Sequence, residues 1–502
     1  MQNTRSGVGP ELGRSVLGIC LLSALLLCCR PNLALGRSAL PDAFLPDQLM
    51  WEIELGSHQY TVPCVDRGRL FVGINDLTLD HPAIESSGGG VLMCRNPLTG
   101  ELIWQLPIPR NMAGRIPPFH FNHWKCGVCS TPALDGDRLY IVGPRGDVLC
   151  VDRHGQANGN DGPFLQDARY MGVPEGSDYE LTATDGDIIW QFDMIEQCQV
   201  VPHDVCGSSP AVHGDYLYVC TSNGADHTHD RVANPLAPNL IVLNKNTGQL
   251  VATDGAIVGE RNFHGQWSSP VVAEIEGRTL ILFGAGDGVL YAMKPIEARA
   301  ADDAVQTLEV AWRYDCCPRD YRERDGVPIP YSRWNRKRTD GPSEVIATPV
   351  VYNGRIYISI GQSPVHGPGA GLLSCIDGAS GQRVWDSRDV ERSLSQVAIH
   401  DGLVYSSDYS GHLSCLDADS GETLWQHDLG GGVWTSSPVV VDGRILISTE
   451  KQLLWVFKAG RTGEVISRSR VHSMAITPVV CDDILYFPTQ RRLFAVRIKS
   501  AF

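Results

Sequence analysis

Apolar residues in this chain come in short runs, each closed within a few positions by Gly, Pro, Asp or Asn, the spacing of strands and tight turns. One pattern recurs along its length. Ser or Thr, Pro and two apolar residues are followed by an Asp/Asn-Gly turn and a Tyr-rich strand, then a strand ending in Asp or Asn, a Ser/Thr-Gly turn, and a strand closed by Trp. The clearest copies are Asn96, Thr99-Gly100, Trp104; Asp377, Ser380-Gly381, Trp385; and Asp417, Ser420-Gly421, Trp425. Repeat starts fall at Pro63, Pro132, Pro210, Pro270, Pro349, Val397, Pro438 and Pro478. A four-strand repeat of about 40 to 45 residues is a propeller blade, so an all-β, eight-bladed propeller of four-stranded antiparallel blades is predicted.

The parts of the motif have physical roles. Gly accepts the positive φ of a tight hairpin, Asp or Asn satisfies turn amides, and the indole packs between blades that cannot bury their own faces. The second blade keeps Asp152 and Gly155 but inserts a long segment before Trp190, and the fourth does the same before Trp312. Two blades have Ala252 and Ser467 in place of Trp. The eighth blade runs out after Leu493 to Ile498, while Met50 to Leu55, with Trp51, reads as a fourth strand with no blade of its own. Pairing the two closes the ring and removes an exposed sheet edge.

The first residues read as an address. Arg5 and Arg14 precede an apolar run from Val16 to Cys29, bounded by Arg30 and Pro31, and Ala34-Leu35-Gly36 supplies a small-x-small cleavage pattern. The run falls short of the about 20 residues that span a bilayer, so a signal peptide over 1–36, a linker over 37–48 and a propeller over 49–502 are expected. The chain is then periplasmic or secreted, with an uncleaved, membrane-associated anchor as the alternative. A formal charge of −15 speaks against nucleic acid as a partner.

The Asp-x-x-Ser/Thr-Gly-x-x-x-Trp repeat resembles the tryptophan-docking motif of pyrroloquinoline-quinone-repeat propellers, the quinoprotein alcohol dehydrogenase-like superfamily, over residues from about 49 to 498. That family contains dehydrogenases and an outer-membrane assembly scaffold. In layout the chain is similar to exported bacterial propellers of this repeat type. The resemblance implies the fold and leaves two functions open: a non-catalytic propeller that binds a protein, peptide or glycan, or a periplasmic alcohol or sugar dehydrogenase using pyrroloquinoline quinone with Ca²⁺. The base and the calcium ligands of the quinoproteins are dispersed and match no positions here, so no catalytic residue is assigned.

In an up-and-down blade the D-to-A and B-to-C connections share a face, and most long insertions fall there: 75–90, 107–125, 193–204, 222–238, 315–345 and 361–371. Loops on such a face carry function more often than the scaffold does. His264, Gln266 and Trp267 stand just ahead of a strand start that points into the central funnel, and Trp267 with Trp434 could floor a planar ligand or simply plug the ring. Arg333 and Trp334, in the one basic stretch of an acidic chain, suit carboxylates, sulfated sugars or planar rings. Asp226, His227 and His229, with His203 or His264 from adjacent blades, could converge on a metal, imidazole and carboxylate suiting zinc, copper or iron.

Cys94, Cys150, Cys375 and Cys415 share one repeat position and read as small core residues. Cys126, Cys129, Cys198, Cys206, Cys316 and Cys317 fall on the loop face, an even number that in an exported protein suggests disulfides. Ser130 after Cys129 excludes covalent haem attachment, and the chain has no Gly-x-Ser-x-Gly, His-Glu-x-x-His or phosphate-loop motif.

Overall fold

The computed structural model describes residues 48–110, 123–298, 304–331 and 340–498. The expected leader at 1–36 and most of the linker lie outside them. Eight antiparallel sheets follow one another around a ring. The first blade is built from Cys64–Asp66, Arg69–Asn75, Gly90–Arg95 and Leu102–Ile108; the sixth from Ala398–His400, Leu403–Ser407, His412–Asp417 and Thr423–Asp428. Every blade begins within a few residues of the expected start. Leu49–Glu54 pairs antiparallel with Arg492–Arg497, so the eighth blade takes its outer strand from the beginning of the chain.

The blades are held together by contacts that repeat with the sequence. Six indole N–H groups each donate to a backbone carbonyl in the turn of the next blade: Trp51 to Pro97, Trp104 to Arg153, Trp190 to Lys245, Trp312 to Gly378, Trp385 to Ala418 and Trp425 to Gly460. The turn glycine lies under the ring: Gly421 has φ +75°, and a Cβ there would stand 2.5 Å from Trp385 Cδ2. Both the backbone angle and the indole therefore require glycine. In the turns themselves, Asp417 Oδ1 accepts from the backbone N–H groups of Asp419 and Ser420.

Nearer the axis, the hydroxyl before the strand-start proline ties neighbours in series. Val62 N–H donates to Thr131 Oγ1, Thr131 N–H to Ser209 Oγ, Ser209 N–H to Ser269 Oγ, and Ser437 N–H to Thr477 Oγ1. This gives the Ser/Thr of the repeat a role, as acceptor for an amide that no sheet ladder reaches.

Some elements exceed the repeat. The third sheet gains a fifth strand, Gln306–Thr307, parallel to Leu250–Thr253. The connection from the fourth blade to the fifth carries the helix Arg319–Arg322 and a hairpin of Glu323–Arg324 with Val327–Pro328. Short helices at Asp167–Met171 and Met194–Cys198 decorate the second blade. No helix among the described residues is long and apolar enough to cross a membrane.

Candidate functional site

Three connections on the loop face meet over the third and fourth blades. His203 lies in the connection into the third blade, His229 in that blade's B-to-C loop, and His264 in the connection into the fourth. Backbone hydrogen bonds lace them: His203 N–H to Ser222 O at 3.1 Å, Gly224 N–H to Val201 O at 3.1 Å, and Ala225 N–H to His264 O at 2.7 Å. Side-chain amides add to this, with Asn262 Nδ2 and Gln266 Nε2 both donating to Asn223 O at 2.9 Å. Gly224 fits because a Cβ would meet His264 O at 2.6 Å.

The lacing brings three imidazoles together. Ring centroids are 4.5 Å apart for His203 and His229, 4.4 Å for His203 and His264, and 4.8 Å for His229 and His264. One ring nitrogen from each lies within 4.8 Å of the others. Relative exposures of 0%, 4% and 1% make the cluster a buried one. His203 Nδ1 is 2.8 Å from Ala225 O, to which it donates, and Nε2 lies 3.8 Å from Asp204 Oδ1.

The surroundings are titratable. His366, in the fifth blade's B-to-C loop, places its ring 5.2 Å from that of His264, and Tyr331 lies 5.1 Å from His366 while stacking on Phe263. Glu344 Oε1 is 3.6 Å from His264 Nδ1. Burial pushes the Glu344 carboxyl up to about 8, against hydrogen bonding from Tyr331 that favours the charged form. Arg392 is fully buried, with Nη1 3.4 Å from Gly367 O.

Of the residues singled out from sequence, His203, His229 and His264 meet here. Asp226 and His227 do not join them. Asp226 accepts from Thr228 and from Arg231 at 2.8 Å, bonds that outweigh its desolvation and hold its carboxyl down at about 2, and His227 is exposed. Gln266 is used in lacing the loops. Trp267 donates to Val205 O at 3.1 Å and packs against His203 and His264, while Trp434 stands beside Tyr60 at 6.0 Å. Arg333 and Trp334 lie outside the described residues. Tyr331, Glu344 and Arg392 had no local signal to link them to the histidines: Tyr331 and Glu344 stand in the fourth-to-fifth blade connection, His366 in the fifth blade's B-to-C loop and Arg392 in the connection into the sixth.

All thirteen cysteines of the described residues are free thiols. Cys198 and Cys206 pack around the core of the second and third blades. A hydrogen bond with Cys126, then burial, raises the Cys129 thiol well above its usual range. Cys316 and Cys317 point to different acceptors, Tyr314 O and Ser343 O.

A pyrroloquinoline quinone with Ca²⁺ does not fit this centre. Calcium takes oxygen ligands, whereas the groups converging here are imidazoles, and His203 and His264 pack against Trp267. On the same face, a groove of about 490 Å³ runs over the fifth to seventh blades, lined by Pro364, Pro368, Tyr409, Gly431, Glu450 and Lys451 among others.

The family model described as outer membrane protein assembly factor BamB matches residues 47–301 and 369–501. No curated protein matches the chain. Among solved structures, BamB from Moraxella catarrhalis is similar at 14% identity and a TM-score of 0.54, over 90% of this chain and 98% of that one. A europium-containing methanol dehydrogenase is similar at 14% identity and a TM-score of 0.53, over 88% and 84%. The computationally designed Ika8 protein is similar at 11% and 0.51, over 90% and 100%. At these identities the likeness is one of fold.

Proposed function

The chain belongs to the family of outer membrane protein assembly factor BamB, and from that premise we propose that it is an exported, non-catalytic propeller that binds a protein partner through its loop-rich face. The observation that carries this reading is that the built features share a face. The three connections that meet at the histidines and the groove beside Tyr409 and Lys451 all open on one face, while the insertions before Trp190 and Trp312 stand apart from them, in C-to-D connections. A rigid ring with variable loops at one end is a platform on which a partner can dock with little reordering. Residues 1–36 carry the chain out of the cytoplasm in this reading, to the periplasm or beyond. In the sequence, the stretch around Arg333 and Trp334 is basic, and carboxylate-rich peptide or sulfated glycan suits its chemistry.

The dehydrogenase reading has less to support it, because the histidine centre beside Trp267 offers nitrogen where calcium wants oxygen. Two experiments separate the readings. Chemical cross-linking in the native cell envelope is expected to join a partner to Lys451 and other loop-face residues. Cross-links confined to the opposite face would overturn the proposal. Titration with pyrroloquinoline quinone and Ca²⁺, followed by tryptophan fluorescence, is expected to show no saturable change. Stoichiometric, calcium-dependent quenching would hand the function to the dehydrogenase reading.

A further inference from the structure

We propose that His203, His229 and His264 form a three-imidazole binding site for a divalent transition metal of the zinc and copper class. The inference is independent of the partner reading, since a scaffold and an enzyme could each hold such a metal. It rests on three kinds of observation. The first is donor type and number: three buried imidazoles, one nitrogen from each within 4.8 Å of the others. Tetrahedral zinc with bonds of about 2.0 to 2.1 Å wants nitrogens roughly 3.4 Å apart, so small ring rotations bring the three into place. Imidazole alone selects zinc, copper, nickel or iron over calcium and magnesium.

The second is what stands behind the ligands. Metal-bound histidines almost always give their other ring N–H to a carbonyl or carboxylate, which fixes the tautomer and the ring plane. His203 Nδ1 is 2.8 Å from Ala225 O, and Ala225 belongs to the loop that carries His229. His264 Nδ1 faces the buried Glu344 at 3.6 Å, close enough for a carboxylate–histidine pair to tighten on metal binding. With Nδ1 turned to these groups, Nε2 is the nitrogen each ring offers to an ion, and in His203 that atom has Asp204 Oδ1 3.8 Å away.

The third is preorganisation. The three ligands come from three connections spanning two blades, and main-chain hydrogen bonds between Ala225 and His264 and between His203 and Ser222 fix their mutual positions. The His229 backbone sits at φ +59°, an angle non-glycine residues adopt rarely, and one that turns its ring into the cluster rather than outward like His227. A filler of the propeller funnel needs only apolar bulk; burying three imidazoles side by side costs desolvation that a metal offsets. Three protein ligands leave a fourth tetrahedral position to be filled, and the buried His366 stands near, its ring 5.2 Å from that of His264.

The test uses the untagged, exported chain, stripped with chelator and titrated with Zn²⁺ alone, then with Cu²⁺ and with Co²⁺ as a spectroscopic reporter. One equivalent of zinc or copper per chain is expected, and cobalt should give the intense visible absorption of a tetrahedral site. His229→Ala and His264→Ala should each weaken zinc by about 100-fold or more, and Glu344→Gln by about 10- to 100-fold, as for an outer partner. His227→Ala, at an exposed neighbour, should leave affinity unchanged. Circular dichroism of each variant, with His264→Gln as the gentler replacement, separates lost ligand from lost fold. No stoichiometric metal, or metal bound equally well by folded His229→Ala and His264→Ala proteins, overturns the proposal.

Discussion

Trp385 lies across the ladder from Cys375, and the same pairing sets Trp104 against Cys94, Trp190 against Cys150 and Trp425 against Cys415. The shared cysteine position is thus a small residue opposite a large one, and burial pushes these thiols up to about 11 or 12, which makes them inert. Where Trp is missing, Ala252 faces Val242 and Ser467 faces Val456, so a larger aliphatic takes up the volume. Trp385→Ala is expected to cost about 3 to 5 kcal/mol in urea denaturation, the cost of emptying a buried aromatic site. A second residue predicts a pH effect. Burial first, then the neighbouring Asp167, Asp152 and Asp161, raises the Asp187 carboxyl from 3.8 to about 7, against a hydrogen bond from the Asp161 backbone. The folded state therefore holds this proton more tightly than the unfolded chain, and stability falls as pH rises from about 4 to about 7. Asp187→Asn should raise the Tm at pH 8 by on the order of 2 °C or more, with the gain vanishing near pH 4 in calorimetry.

Among the elements, Leu49–Glu54 matters beyond its length. It supplies the outer strand of the last blade, packs Trp51 against Tyr486, and donates from that indole to Pro97 in the first blade. One strand thus joins the two ends of the repeat. Removing the chain through Glu54 opens the sheet at Arg492–Arg497 and exposes an unpaired edge. The truncated protein is expected to aggregate or self-associate in size-exclusion chromatography, whereas ending the deletion before Gln48 should leave a monodisperse ring. Blade starts, turns and the closing strand were legible because each depends on residues adjacent in sequence: Pro, a turn Gly, a Trp at fixed spacing. The added strand Gln306–Thr307 and the hairpin at Glu323–Pro328 were not, since each is too short to show a period and is held by its neighbours.

For the molecule as a whole, the histidine centre couples blades that are otherwise joined by repeated local contacts. A metal held by His203, His229 and His264 binds only when all three connections are folded together. Zinc at a hundred times its dissociation constant should therefore stabilise the ring by about 2.7 kcal/mol, and His229→Ala should abolish that gain in thermal denaturation. The sequence by itself determined the all-β class, the eight blades, their order and the closure, because those follow from a pattern written eight times in neighbouring residues. It also marked the loop face and flagged His203, His229 and His264 as residues that could meet. Only the tertiary structure decided that they do, that Asp226 turns instead to Arg231, and that Glu344, His366 and Tyr331 stand beside them. The reason is physical. A propeller folds remote loops onto one axis, so the site depends on distances across blades, which no spacing along the chain encodes.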